Sequence, residues 1–186
     1  MSSRGTSIRQ FNSAGSFGIS FQPTGLTNLF VTNTAISKNG SGATGGGILM
    51  QPTGTGAARV LLENVHVFAN SNNGITADTT LTSGFVGFTL DNSQVSGNSG
   101  SGVVANAGGG IGGMITNSAI TANILSGIST AGGLSTLRVG NTTITGNASG
   151  GGAGVNLAGG IARSYGDNLL DDNSVDGGFT SVILKK

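Results

Sequence analysis

The 186-residue sequence predicts an all-β solenoid, in which short strands wind into coils that stack on one another. One pattern, Asn-x-x-aliphatic-x-x-Asn followed by Gly and an aliphatic residue, recurs along the chain with fixed internal spacing. The first Asn positions (33, 64, 92, 117, 141 and 167, the last being Asp) are 31, 28, 25, 24 and 26 residues apart. A period of this length is typical of β-solenoids, and the density of Gly and β-branched residues disfavours helical repeats.

The two Asn positions of each repeat have a structural explanation. The first Asn is expected to bend the chain between two strands, because Asn tolerates the left-handed conformation that a sharp bend requires. In stacked coils, identical Asn side chains can also hydrogen-bond along the stack. We therefore interpret both sets as structural ladders. The first set is Asn33, Asn64, Asn92, Asn117, Asn141 and Asp167, and the second is Asn39, Asn70, Asn98, Asn123, Asn147 and Asn173.

Each repeat contains three short strand-like runs. The first precedes the first Asn, the second surrounds the central aliphatic residue, and the third follows the Gly. Alternate residues of each strand point inward, so the aliphatic side chains are expected to stack into a narrow core. We predict a single domain, 1–186, of about seven coils, in which 1–27 form an incomplete first coil and 163–186 form the last coil and a cap.

Composition excludes several classes of function. A net charge of +1, with 8% charged residues, argues against a nucleic-acid binder. No apolar run is long enough to span a membrane, and Met1-Ser-Ser-Arg4 is not followed by the apolar segment of a signal peptide. The absence of Cys removes disulfides and metal thiolates. We predict no metal site and no cofactor.

The unit at 117–128, Asn-Ser-Ala-Ile-Thr-Ala-Asn followed by Gly-Ile, resembles the right-handed parallel β-helix repeat of the pectate-lyase-like superfamily. The resemblance extends from about residue 5 to residue 179. The Ser-Tyr-Gly-Asp-Asn run at 164–168 is similar to the end of proteobacterial β-helix repeat proteins without an assigned activity. The resemblance implies a right-handed helix and a secreted or periplasmic location. It implies a fold more strongly than a function.

Enzymes of this superfamily usually place acidic residues, with Arg, Lys or bound Ca²⁺, on the outer face of the Gly-Ile strand. In this sequence the outward positions of that strand include a single carboxylate, Asp78, without a basic neighbour. One carboxylate provides neither paired acid/base catalysis nor a Ca²⁺ cage, so the catalytic sites of those enzymes are not carried over.

One constellation remains a candidate catalytic site. Glu63 and Asp91 each precede a first-position Asn, so they should project outward from adjacent coils about 4.8 Å apart. This separation is similar to that of the two carboxyl groups in retaining glycosidases. His66, the only histidine, lies two residues beyond the bend of the same coil as Glu63. The alternative is that these side chains are solvated on an open face.

Two further sets are candidates for contact sites. Phe30 and Leu61 occupy the same outward position in neighbouring coils, with Met114 two coils further on and Phe68 nearby. An exposed apolar patch of this kind marks an interface, for which a second copy of the chain or an absent cap is a candidate partner. The C-terminal carboxylates could bind Ca²⁺ but fit a soluble cap better. They are Asp167, Asp171, Asp172 and Asp176.

Three functional hypotheses follow from these observations. The leading one is a non-enzymatic extracellular structural or binding module that contacts glycan or protein through its outer faces. The second is a truncated or degenerate polysaccharide lyase or glycoside hydrolase centred on Glu63, His66 and Asp91. The third is an engineered scaffold fragment with no activity of its own, because the first coil begins without an evident cap.

Overall fold

The computed structural model describes residues 5–185 as an all-β parallel solenoid of about six turns, without a helix in that range. The ends of the predicted domain, Met1-Ser-Ser-Arg4 and Lys186, lie outside the described residues. The strands in chain order are β1 (Thr6–Arg9), β2 (Phe17–Phe21), β3 (Leu26–Ser37), β4 (Gly46–Met50), β5 (Ala57–Phe68), β6 (Ile75–Asp78), β7 (Phe85–Asp91), β8 (Gln94–Ser96), β9 (Val103–Asn106), β10 (Gly110–Thr116), β11 (Ala119–Thr121), β12 (Ile128–Ala131), β13 (Ser135–Gly140), β14 (Thr143–Thr145), β15 (Val155–Ala158), β16 (Ile161–Ser164), β17 (Leu169–Asp171) and β18 (Ser181–Val182).

The strands line three faces of the solenoid, and every strand pairing is parallel. Face 1 contains the first halves of β3 and β5, followed by β7, β10, β13, β16 and β18. Face 2 contains β1, the second halves of β3 and β5, and then β8, β11, β14 and β17. Face 3 is a separate sheet of six strands, β2, β4, β6, β9, β12 and β15. Faces 1 and 2 are continuous because β3 and β5 run through the bends at Asn33 and Asn64.

The solenoid has one turn fewer than the predicted seven, because the last coil does not form a third-face strand. Gly178-Phe179 has the Gly-apolar pattern that precedes each third strand, but the pair lies outside any strand. Only residues 172–180 separate β17 from β18. On face 3 this segment makes one isolated parallel bridge, between Val155 and Gly177, before the chain reaches face 1, where Arg163 pairs with Ser181.

The predicted core is confirmed. The central aliphatic residues of successive coils are register partners on face 2. The side chains that are completely buried there are Ile36, Val67, Val95, Ile120 and Ile144. Leu170 of the last coil is half-buried, because no further strand covers it. An isolated coil could not bury these aliphatic side chains. Stacking against the neighbouring coils buries them and so stabilises the fold.

The second Asn positions form a continuous ladder, which is buried from Asn39 to Asn147 and half-buried at Asn173. Each amide Nδ2 donates to the Oδ1 of the next ladder Asn at 2.9–3.0 Å, from Asn39 through to Asn173. The same Oδ1 atoms accept the backbone N–H of the preceding ladder residue. At the C-terminal end, Asp176 Oδ1 accepts from both the N–H and the Nδ2 of Asn173. An Asn at this position would also carry N–H donors, and no further ladder side chain is there to accept from them. A carboxylate only accepts hydrogen bonds, so Asp suits the end of the ladder.

The first Asn positions bend the chain as predicted, since Asn33, Asn64, Asn92, Asn117 and Asn141 have φ angles of 47–51°. Their stack is exposed and discontinuous, because no side-chain hydrogen bond joins Asn64 to Asn92 within the described residues. The sixth position departs from the prediction, because Gly166, with φ of 85°, takes the left-handed conformation in place of Asp167.

A one-residue insertion explains the shift to Gly166. Val139 pairs with Ser164, whereas Thr143 pairs with Leu169, so the last coil has one residue more than its neighbour at this corner. Asp167 still occupies the ladder level, where its Oδ1 accepts the N–H of Asn141 at 2.9 Å.

The Gly before each third strand is required by close packing. At Gly102, an added Cβ would lie 2.6 Å from Ile120 Cγ2 and 2.9 Å from Asn123 Nδ2, both in the next coil. Any larger side chain would displace the core aliphatic and the buried ladder together. The same relation to the next coil holds at Gly18, Gly47, Gly74, Gly127 and Gly154.

Candidate functional site

Face 1 carries two rows of outward side chains that contain most of the candidate site residues. The central row connects register partners in successive coils and comprises Phe30, Leu61, Thr89, Met114, Arg138, Arg163 and Ser181. The second row, which we name the carboxylate row, lies two residues further along each strand. It comprises Thr32, Glu63, Asp91, Thr116 and Gly140.

Three shallow depressions follow one another along face 1. One of about 560 Å³ lies between Phe30, Arg59 and Phe85. A second, of about 580 Å³, extends from Leu61 and Glu63 towards Tyr165. A third, of about 670 Å³, is lined by Arg138, Arg163, Tyr165, Ile183, Leu184 and Lys185. Face 1 therefore carries a line of three shallow depressions that are open to solvent.

The two candidate carboxylates are neighbours on this surface. Glu63 and Asp91 are register partners in adjacent coils, and both line the depression of about 580 Å³. Asp91 Oδ1 accepts the hydroxyl of Thr116 at 2.7 Å and the Nδ2 of Asn117 at 2.8 Å. In this coil the Asp91 side chain therefore makes the hydrogen bond to Asn117 that the Asn92 side chain does not make. Glu63 is exposed.

His66 lies apart from the carboxylates. The bend at Asn64 places it on face 2, where it pairs in register with Ala35 and Gln94. It lines two depressions there, and neither includes Glu63 or Asp91. The structure therefore brings two of the three predicted catalytic candidates together and places the third on another face.

The four interface candidates are divided in the same way. Phe30, with 70% of its surface exposed, lies in the central row of face 1 with the half-buried Leu61 and Met114. Phe68, 37% exposed, lies on face 2 beside Ser37 and Ser96. The bend at Asn64 separates the two groups.

Sequence reasoning missed Phe85, which is 39% exposed on face 1. The Arg59 guanidinium carbon lies 5.9 Å from the centre of its ring, a cation–π geometry. The signal was present in the sequence. Strand alternation from the inward Phe88 places Phe85 and Gly87 on the outer surface.

Basic side chains that are distant in sequence converge at the C-terminal end of face 1. Arg138 and Arg163 are register partners, and Lys185 joins them around one depression. Within residues 5–185, the only ion pair joins Lys185 to Asp167. The Lys185 ammonium, which donates to Asp167 Oδ2, lowers the pKa of that carboxyl, and the N–H of Asn141 acts in the same direction. The two Arg side chains therefore lie together without a carboxylate partner in that range.

Other candidate groups take part in local hydrogen bonds. On face 3, the Asp78 carboxylate accepts from Gln51 Nε2 at 3.0 Å and from the Thr80 hydroxyl at 2.7 Å. No group of three or more His, Cys, Asp or Glu side chains that could hold a metal ion occurs in the described part of the chain. Residues 5–185 also contain no helix long and apolar enough to cross a membrane.

Comparison with protein-family models, with curated proteins and with solved structures gives no match to this chain. The architecture of face 1 is therefore the basis for a functional assignment.

Proposed function

We propose that this chain is a non-enzymatic β-solenoid module that acts by binding glycan or protein through face 1. The observation that carries the proposal is the alignment of three consecutive depressions on one face, with exposed Phe30 and Phe85 at one end and Arg138 and Arg163 at the other. Concave surfaces that combine apolar side chains with a few charged groups are typical of binding sites.

The disposition of the candidate catalytic groups favours binding over catalysis. General acid–base chemistry requires the acid and the base to face the same reacting atom. His66 faces away from Glu63 and Asp91, across the bend at Asn64. Asp91 Oδ1 accepts two hydrogen bonds from its own fold and therefore has a structural role at the outer stack.

A matched pair of variants tests the proposal. Binding is measured by biolayer interferometry against neutral, uronate and sulfated polysaccharides, and self-association by sedimentation velocity. The wild type is expected to bind a polysaccharide or to self-associate. Leu61→Glu, on face 1, should weaken the affinity of that interaction at least tenfold, or about 1.4 kcal/mol. Phe68→Glu, on face 2, should leave it unchanged. Equal losses in both variants would contradict a role for face 1.

The second candidate is a degenerate polysaccharide-active enzyme, which the adjacent placement of Glu63 and Asp91 favours. Its test is turnover of the same polysaccharides, followed by new reducing ends and by absorbance of unsaturated uronates. Turnover that Glu63→Gln abolishes would replace the binding proposal. We expect none.

We further propose a right-handed β-helix of the pectate-lyase-like type and a secreted or periplasmic location. The support is the coil period, with successive ladder Asn residues 24 to 31 positions apart, and the buried ladder itself. An experimental structure would test the handedness. Fractionation of the source cells with an antibody against the chain would test the location, and recovery in the cytoplasmic fraction alone would contradict it.

A further inference from the structure

We propose that face 1 binds a second copy of this chain, with the two solenoids antiparallel and related by a two-fold axis that passes over Met114. This inference rests on the proposed function and names the partner of the same face. It is carried by three independent features of face 1: its charge pattern, the shapes of its two ends and its dimensions.

Two carboxylates and two arginines of face 1 lie symmetrically, with opposite signs, about Met114. Arg59, whose guanidinium lies over the Phe85 ring, is outside this pattern, because the equivalent position two coils after Met114 is Ile161. Asp91 lies one coil before Met114, and Arg138 lies one coil after it. Glu63 lies two coils before Met114, and Arg163 lies two coils after it. A copy turned end for end about Met114 therefore brings each of these carboxylates to the same coil level as an arginine of the other copy. Such self-complementarity is the requirement for an isologous two-fold interface.

The two-fold axis is parallel to the strands. It therefore reverses the order of the coils, and each row of side chains in one copy faces the same row in the other copy. Arg163 of one copy then faces Leu61 of the other, with Glu63 two residues further along the same strand. That offset is about 6.6 Å, which an Arg side chain can span. Each dimer contains every such charge pair twice. Arg138 and Arg163, which form no ion pair within residues 5–185, acquire carboxylate partners in this way.

The two ends of the face are complementary in shape as well. Phe30, 70% exposed, lies three coils before Met114. The depression lined by Arg138, Arg163, Ile183 and Leu184 extends from one to three coils after Met114 and lies beside Ser181 of β18. The two-fold axis sets the exposed ring of each copy opposite Ser181 of the other, at the edge of this depression. Aliphatic walls and a guanidinium group are suitable surroundings for an aromatic ring.

The dimensions of the face are sufficient for a specific interface. From Phe30 to Ser181 the central row spans six coil spacings, about 29 Å, and strands of about six residues give a width near 20 Å. The projected area is about 580 Å² per copy, or about 1,200 Å² in total, at the lower end of the range for specific complexes. We therefore expect a reversible dimer with a dissociation constant on the order of micromolar.

A charge exchange tests the pairing. Sedimentation velocity of the whole chain, from about 1 µM to about 1 mM, should show a monomer–dimer equilibrium. Glu63→Arg and Arg163→Glu should each weaken dimerisation about tenfold or more, because each creates like-charge contacts. The double variant carrying both changes should regain most of the wild-type affinity. Arg9→Glu, an exposed change on face 2, is the matched control and should have no effect.

Cysteine cross-linking tests the position of the axis, and the absence of native Cys removes any background. Met114→Cys should form a disulfide-linked dimer rapidly under mild oxidation, because the two thiols meet at the axis. Thr121→Cys, on face 2, is the control and should cross-link slowly. Comparable rates for the two variants would overturn the proposed arrangement.

Failure of the dimer can be distinguished from failure of the proposed function. A wild type that stays monomeric at about 1 mM would overturn the dimer. If such a monomer still bound a polysaccharide, and Leu61→Glu removed that binding, the binding function of face 1 would remain and only its partner would change. A double charge variant that stays as weak as the single variants would also overturn the dimer.

Discussion

Asn98 Nδ2 donates to Asn123 Oδ1 at 2.9 Å, and both side chains are completely buried. Asn98 also accepts from Asn70 and donates to the carbonyl of Val67. Asn98→Ala would leave several of these buried groups without a partner. We expect it to lower the free energy of unfolding by about 2–4 kcal/mol, as measured by urea denaturation followed by circular dichroism.

The control for this prediction is Asn92→Gly, in the exposed outer stack of the same coil. Asn92 makes no side-chain hydrogen bond in the described structure, and Gly adopts its φ of 47° without strain. We expect a change within about 0.5 kcal/mol. Equal losses in the two variants would show that the buried ladder has no special contribution.

Gly102→Ala tests the close approach between coils. The new Cβ would lie 2.6 Å from both the Gly127 carbonyl oxygen and Ile120 Cγ2, so either the backbone or the core must shift. We expect a loss of about 2–3 kcal/mol in thermal or urea unfolding. Gly112→Ala is the matched control, because its Cβ would enter open space on face 1 and should be tolerated. A stable Gly102→Ala variant would mean that the coils adjust freely.

The predictable part of this fold is the part that repeats. The inward aliphatic residues, the bend at Asn33 and the ladder from Asn39 to Asn173 follow from local spacing, since stacking imposes the same geometry on each coil. Exceptions to the repeat were not predictable in this way. The extra residue that moves the bend to Gly166, and the short path that removes the seventh coil, depend on the particular contacts of the last coil.

The candidate site was predictable only in part, for a related reason. Offsets within one coil placed Glu63 beside Asp91 and Phe30 beside Leu61, and the structure has these pairs in register. The same offsets did not separate His66 from Glu63, because a bend turns two nearby positions onto different faces. Predicting that residues 138, 163 and 185 converge would also have required the register between the last coils, which the spacing within one coil does not give.

Asp176→Ala tests the end of the ladder. Its carboxylate accepts from both donors of Asn173, at 3.2 and 2.9 Å, and the aligned amides of the ladder direct their N–H dipoles towards it. We expect a loss of about 1–2 kcal/mol of unfolding free energy. Asp171→Ala, an exposed carboxylate in β17, is the control and should be close to neutral. A neutral Asp176→Ala would show that solvent replaces this cap.

Lys185→Met tests the ion pair that holds the C-terminal segment against face 1. The Lys185 ammonium lowers the pKa of Asp167 below its ordinary value of 3.8, so the fold favours the ionised carboxyl. The stabilisation is therefore fully present above 3.8 and is lost as the pH falls through the lowered, folded-state pKa. We expect NMR titration of the Asp167 carboxyl carbon to show a higher pKa in Lys185→Met than in the wild type. Lys185→Arg should retain the low value, and Lys38→Met, which removes a distant exposed charge, should not change it. An Asp167 pKa that is the same in Lys185→Met and in the wild type would mean that the Asn141 N–H, which also donates to this carboxyl, is sufficient to lower it.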